Sequence, residues 1–128
     1  MYHATMIGLA LLLSLTPPTA CEIAANPAAL VSQMGKRVNI TGRYQWDIHY
    51  QNIHPDGCEN DMLFVALTGS ASEQVNTFLT SSYPGKMFGG GTVWGTFSGV
   101  VKRSTRGFPF VLIDRVSIDT QHRMTFAD

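Results

Sequence analysis

The stretch Arg37-Val-Asn-Ile-Thr-Gly-Arg-Tyr-Gln-Trp46 decides how this chain folds. Val38, Ile40, Tyr44 and Trp46 recur at every second position, the period of a β-strand with one buried face, and Gly42 stands where the next apolar residue is due. A glycine inside such a strand marks a sharp bend or a bulge. Small barrels use a long first strand of this kind to turn a corner.

Toward the C-terminus, residues 48–53 form a weaker strand candidate ahead of the turn His54-Pro55-Asp56-Gly57. The continuous apolar run Met62–Leu67 predicts a strand buried on both faces. Ser70-Ala71-Ser72-Glu73 reads as a capping box opening a short helix with Val75, Phe78 and Leu79 on its apolar face, ending before Pro84-Gly85. After Gly89-Gly90-Gly91, the span Thr92–Val101 alternates again, with Val93, Phe97 and Val101 on one face and Trp94 on the other. The basic turn Lys102–Gly107 then joins it to a strand over Phe108–Ile118, giving a hairpin. Toward the N-terminus, Asn26 as N-cap, Pro27 at the first helical position and Gly35 as the stop predict a short helix over 27–34.

The order helix, three strands, helix, two strands predicts a mainly β domain with two short helices, folded as a small OB-like five-stranded Greek-key barrel. Without the strand at 48–53, the same elements give a four-stranded α+β domain. A length of 128 residues allows one domain, and 45% hydrophobic against 14% charged residues excludes the disordered class.

Before the domain, Met6–Leu15 is an apolar run with the length of a signal-peptide core, too short to span a bilayer of about 30 Å, and Pro17-Pro18 breaks it. Residues 1–20 therefore read as a secretion signal, 21–120 as the domain and 121–128 as a loose tail. The cysteines, Cys21 and Cys58, form an even pair beyond the leader, which suggests a disulfide in an oxidising compartment, periplasmic or extracellular. Thr19-Ala20-Cys21 also fits a lipoprotein box in part, so a lipid anchor on Cys21, and with it a membrane-held envelope protein, is the competing use of that residue.

Gly35-Lys36-Arg37-Val38-Asn39-Ile40-Thr41-Gly42, the turn His54-Pro55-Asp56-Gly57-Cys58 and the early Cys21 together resemble a group of small exported bacterial proteins of unknown function. The resemblance covers about residues 21–67. It implies an OB-like barrel with a Cys21–Cys58 bond and carries no activity with it.

Charge is zero in total but unevenly placed. Asp47 to Glu73 holds only acidic charge, whereas most of the basic residues follow Lys86. Lys102, Arg103 and Arg106 beside Phe108 are the candidate binding residues, suited to an anionic envelope component; export removes the protein from most nucleic acid. His49, His54 and Asp56 are an alternative metal-ligand set, though their spacing matches no established one. No Gly-x-Ser-x-Gly elbow is present, and Gly85-Lys86 lacks the order of a phosphate loop, so neither catalysis nor a cofactor is expected. The expected function is a non-catalytic exported binding module; the alternatives are a metal protein and a lipid-anchored structural protein.

Overall fold

A computed structural model describes residues 16–86 and 89–122. In chain order its elements are α1 (Ala20–Ala25), α2 (Pro27–Val31), β1 (Arg37–Trp46), β2 (Gln51–Pro55), β3 (Leu63–Leu67), α3 (Gly69–Ser82), β4 (Gly91–Arg103) and β5 (Pro109–Ile118). The strands close into a barrel in the order β1-β2-β3-β5-β4, with β3 and β5 parallel and every other pair antiparallel. This is the OB-like five-stranded barrel, with its helix between the third and fourth strands. The strand at 51–55 removes the four-stranded alternative.

β1 is the organising strand. It pairs with β4 from end to end, Arg37 opposite Val100 and Trp46 opposite Gly91, while its second half also pairs with β2. Its inward positions Ile40 and Tyr44 are buried, as are Val93, Phe97 and Val101 of β4 and Val111 and Ile113 of β5. Tyr44 stacks on Trp46 and packs against Phe97, with ring centroids 5.6 and 5.7 Å apart. Its hydroxyl donates to Gln51 Oε1 at 2.7 Å, and burial pushes its pKa up to about 12.

Gly42 and Gly95 face each other across the β1–β4 ladder. A Cβ on Gly42 would run into the His54 carbonyl and come within 2.8 Å of Pro55 Cα, and one on Gly95 would run into the Ser117 carbonyl. Each of the two glycines lies under the backbone of the strand on its other side, and only hydrogen fits in the gap. The mid-strand glycine of the alternating stretch thus sits where two backbones approach closely, while the register shift in the β4–β5 pairing falls at Ser98/Gly99.

Several local features differ from the sequence reading. An additional helix, α1, is capped by Thr19, whose hydroxyl accepts from the Glu22 N–H at 3.2 Å, and it buries Ile23. The helix expected over 27–34 ends at Val31, although Asn26 caps it and Pro27 opens it as predicted. The chain then reaches Gly35, at φ 79°, through a turn. Thr68, not Ser70, caps α3 by accepting from the Ala71 N–H at 3.3 Å. The helix therefore starts earlier and is longer than a box at Ser70–Glu73 requires. β2 begins at Gln51 because Asp47 Oδ1 accepts from the His49 and Tyr50 N–H groups at 2.6 and 3.0 Å, holding 47–50 as the turn. The run Met62–Leu67 is buried on one face only: Leu63 and Val65 point inward while Met62 and Phe64 are exposed.

The Cys21–Cys58 disulfide is formed, with Cα atoms 5.8 Å apart, and ties α1 to the turn after β2. The sulfur that a lipid anchor would need is therefore engaged. No helix among the described residues is long and apolar enough to cross a membrane. Met6–Leu15 and the end of the tail, 123–128, lie outside the described residues.

Arg37 and Asp114 make a two-pronged pair, 2.7 and 2.8 Å, on the outside of the barrel. The guanidinium hydrogen bonds hold the Asp114 carboxyl below the ordinary carboxylate range. A carboxyl with a depressed folded-state pKa adds stability above its unfolded value, about 3.9, and that contribution is lost as pH falls through the folded value. Asp114→Asn should accordingly flatten the fall of Tm between about pH 5 and pH 2, measured by circular dichroism, and an unchanged acid slope would show that the pair contributes nothing.

The close approach at Gly42 makes a sharper prediction. Gly42→Ala should cost at least about 3 kcal/mol in urea unfolding, because backbone on the neighbouring strand must move. Gly69→Ala, at the open first turn of α3 where a Cβ meets nothing within 4 Å, should instead stabilise by about 0.5–1 kcal/mol.

Candidate functional site

The β4–β5 turn is built by Ser104. Its N–H donates to the Phe108 carbonyl at 2.8 Å, and its hydroxyl accepts from the Arg106 and Phe108 N–H groups, each at 3.2 Å. Gly107 closes the turn at φ 90°, and Arg103 donates through Nη1 to the Gly107 carbonyl at 2.6 Å. The side chains of Lys102 and Arg106 are exposed and have no hydrogen-bond or ion-pair partner among the described residues. The turn thus holds two free cations and a third bent back along it, with Phe108 at its base.

Phe108 does not enter the core. It is 48% exposed and meets Phe64, 47% exposed, with ring centroids 6.3 Å apart and planes at 60°. These two rings form one side of a groove of about 520 Å³. Ile23 and Ala24 of α1 and Pro27 and Leu30 of α2 form the other, and Tyr50 and Met62, both about half exposed, also line it. All ten lining residues are apolar or aromatic. The disulfide fixes α1 against the barrel, so one wall of the groove is covalently pinned to the turn after β2. Basic charge stands at the Phe108 end; Glu22 and Asp61 follow the opposite wall and the lead into β3.

The basic turn and Phe108 were accessible from the sequence; Tyr50, Met62 and Phe64 were not singled out. The signal lay in the Met62–Leu67 run itself. A strand in a small barrel has one inward face, so every second residue of a six-residue apolar run must face outward.

The alternative metal set does not assemble. His54 and Asp56 lie on the same side of the β1–β2 hairpin base, with His54 Nδ1 2.9 Å from the Glu59 carbonyl oxygen. His49 belongs to the turn at the far end of that hairpin, and the three residues from Gln51 to His54 alone separate the two ends by roughly 10 Å. Cys58 is in the disulfide. Among the described residues no group of three or more His, Cys, Asp or Glu side chains is arranged to hold a metal ion.

Comparison with protein-family models, curated proteins and solved structures gives no match for this chain. The groove and its charged end therefore have to be read from their own chemistry.

If Phe64 and Phe108 serve the surface, the barrel should not need them. Phe64→Ser and Phe108→Ser should each change unfolding free energy by less than about 1 kcal/mol, whereas Leu63→Ala, one position away but 2% exposed, should cost about 2–5 kcal/mol. Equal losses at positions 63 and 64 would place Phe64 in the core.

Proposed function

We propose that this protein is an exported, non-catalytic binding module that holds an anionic amphiphile of the cell envelope. The apolar part of the ligand lies in the groove between Phe64–Phe108 and α1–α2, and its anionic group meets Lys102, Arg103 and Arg106. The carrying observation is the union of an all-apolar groove with an unpaired cationic turn through one residue, Phe108. Exposed contiguous apolar surface on a small domain marks an interaction site. Basic charge at the Phe108 end only gives that site a polarity, which an anionic amphiphile matches and a uniformly apolar ligand does not.

Export rests on two features. The apolar Met6–Leu15 segment followed by Pro17-Pro18 has the form of a secretion signal. A structural disulfide suits an oxidising compartment, periplasm or exterior.

Co-sedimentation with phosphatidylglycerol vesicles tests this reading, with phosphatidylcholine vesicles as the uncharged control. The protein should bind the anionic vesicles at low salt and lose at least about tenfold in affinity near 0.5 M salt, where charges are screened beyond a few ångströms. Lys102→Ala, Arg103→Ala and Arg106→Ala together should have the same effect as salt. Phe64→Ser with Phe108→Ser should weaken binding at every salt concentration. Equal binding to both vesicle types, no binding at low salt, or indifference to the triple substitution contradicts the proposal.

A further inference from the structure

A second groove, sharing no lining residue with the first, crosses the outside of the barrel. Strand register builds it. Arg43 on β1 stands opposite His54 on β2 and opposite Trp94 on β4, so the three outward side chains form one row. Asp119 continues the row past β4, its N–H donating to the Trp94 carbonyl at 2.8 Å. A parallel row holds Thr41, Thr96 and Ser117, with the two threonine hydroxyls 2.9 Å apart. These rows line a groove of about 480 Å³, and Asp56 and Glu59 stand in the same groove.

Two features set this surface apart from an ordinary polar face. The Arg43 side chain makes no hydrogen bond or close ion pair with any described residue, its charge acting on Glu59 only at a distance, and its Nε is shut off from solvent without a partner. Leaving such a donor unsatisfied is costly unless a ligand completes it. Beside it, the Trp94 ring carries the His122 imidazole flat against it, centroids 3.9 Å apart and planes at 4°. His122 comes from the exposed turn after β5, where Asp119 Oδ1 accepts from the Gln121 N–H at 3.0 Å. The indole therefore has a face on which a flat ring docks, and the ring on it belongs to a short surface turn.

The donor set selects the ligand. Arg43 only donates, ionised Asp56, Glu59 and Asp119 only accept, and the three hydroxyls do both. Three carboxylates against one guanidinium disfavour an anion, and the described acidic and histidine groups do not converge on a metal. What fits is a ring with several hydroxyls that both give and take hydrogen bonds, and with a C–H face to lie on indole. We propose that this groove is a binding site for an uncharged sugar ring, stacked on Trp94 in place of His122 and hydrogen-bonded to Arg43 and Asp119. It is centred on β1, β4 and the end of β5, meets β2 and the turn after it only at His54, Asp56 and Glu59, and includes no residue of the β1–β2 or β4–β5 loops through which OB-like barrels commonly bind. It also stands or falls independently of the amphiphile groove.

The test uses the whole protein carrying Trp46→Phe, which leaves Trp94 as its one tryptophan. Glucose, N-acetylglucosamine, cellobiose and chitobiose are titrated against Trp94 fluorescence and backbone amide shifts, with glucuronate as the charged comparison. At least one neutral probe should saturate below about 50 mM, and glucuronate should bind more weakly than glucose. Trp94→Leu and Arg43→Gln should each weaken binding by about tenfold or more. His122→Ala should tighten it by roughly two- to fivefold, because the competing ring is gone; a His122 that merely finished the fold would give no such gain. Circular dichroism of each variant separates loss of binding from loss of fold, and Arg43→Gln and His122→Ala change only groove side chains. Failure of all four probes to saturate, glucuronate binding as tightly as glucose, or binding unmoved by both Arg43→Gln and His122→Ala overturns the proposal.

Discussion

Everything in this molecule hangs on the closure of β1 against β4. The two strands pair over the full length of β1, and they do so while each also pairs with another neighbour, β2 on one side and β5 on the other. Strands paired on both edges in a closed barrel pass close to one another, and Gly42 meets Gly95 at one such approach. At that level neither strand has room for a Cβ beneath its neighbour's carbonyl. Because side chains alternate, fixing this register also fixes what the outside carries: Arg43 beside Trp94 and Thr41 beside Thr96. The polar groove is thus a consequence of the same ladder that buries Ile40, Phe97 and Val93 inside.

The second constraint is the disulfide. Cys21 and Cys58 join the short N-terminal helices to the turn after β2, and on the chain-entropy account a bond of this span contributes roughly 3–4 kcal/mol by restricting the unfolded chain. Helices as short as α1 and α2 are not stable alone. Their place depends on Ile23 and Leu30 entering the core and on the sulfur bridge. They in turn supply one wall of the apolar groove, so the oxidation state of two cysteines and the shape of a candidate binding surface are the same question.

The strand pattern made the barrel legible in the sequence. Strict alternation in 37–46 and 92–101, a glycine in the middle of the first, and a helix between the third and fourth strands define the closed five-stranded topology. What was not legible depends on tertiary contacts. Thr19 and α1 lie where the sequence reads as the end of a leader, and the helix takes its place through the bridge to Cys58. Phe64 and Met62 look like core in a continuous apolar run, and only the barrel's curvature and closure say which of the six face out. The basic turn could be read because Gly107 and the charges are local. The juxtaposition of Arg43, His54 and Trp94 could not, because it requires the register of three strands at once.

The bonded Cys21–Cys58 pair pins the helices that form one groove wall, and the proposal of an exported module places it outside the reducing cytoplasm. Intact mass of the protein isolated from its native host, alkylated before and after reduction, tests that most directly. The account predicts no alkylation of either cysteine until reduction and two alkyl groups after it, on a chain that has lost its apolar leader and still contains Cys21. A free thiol at Cys58 before reduction, or a diacylglyceryl mass on Cys21, would contradict it.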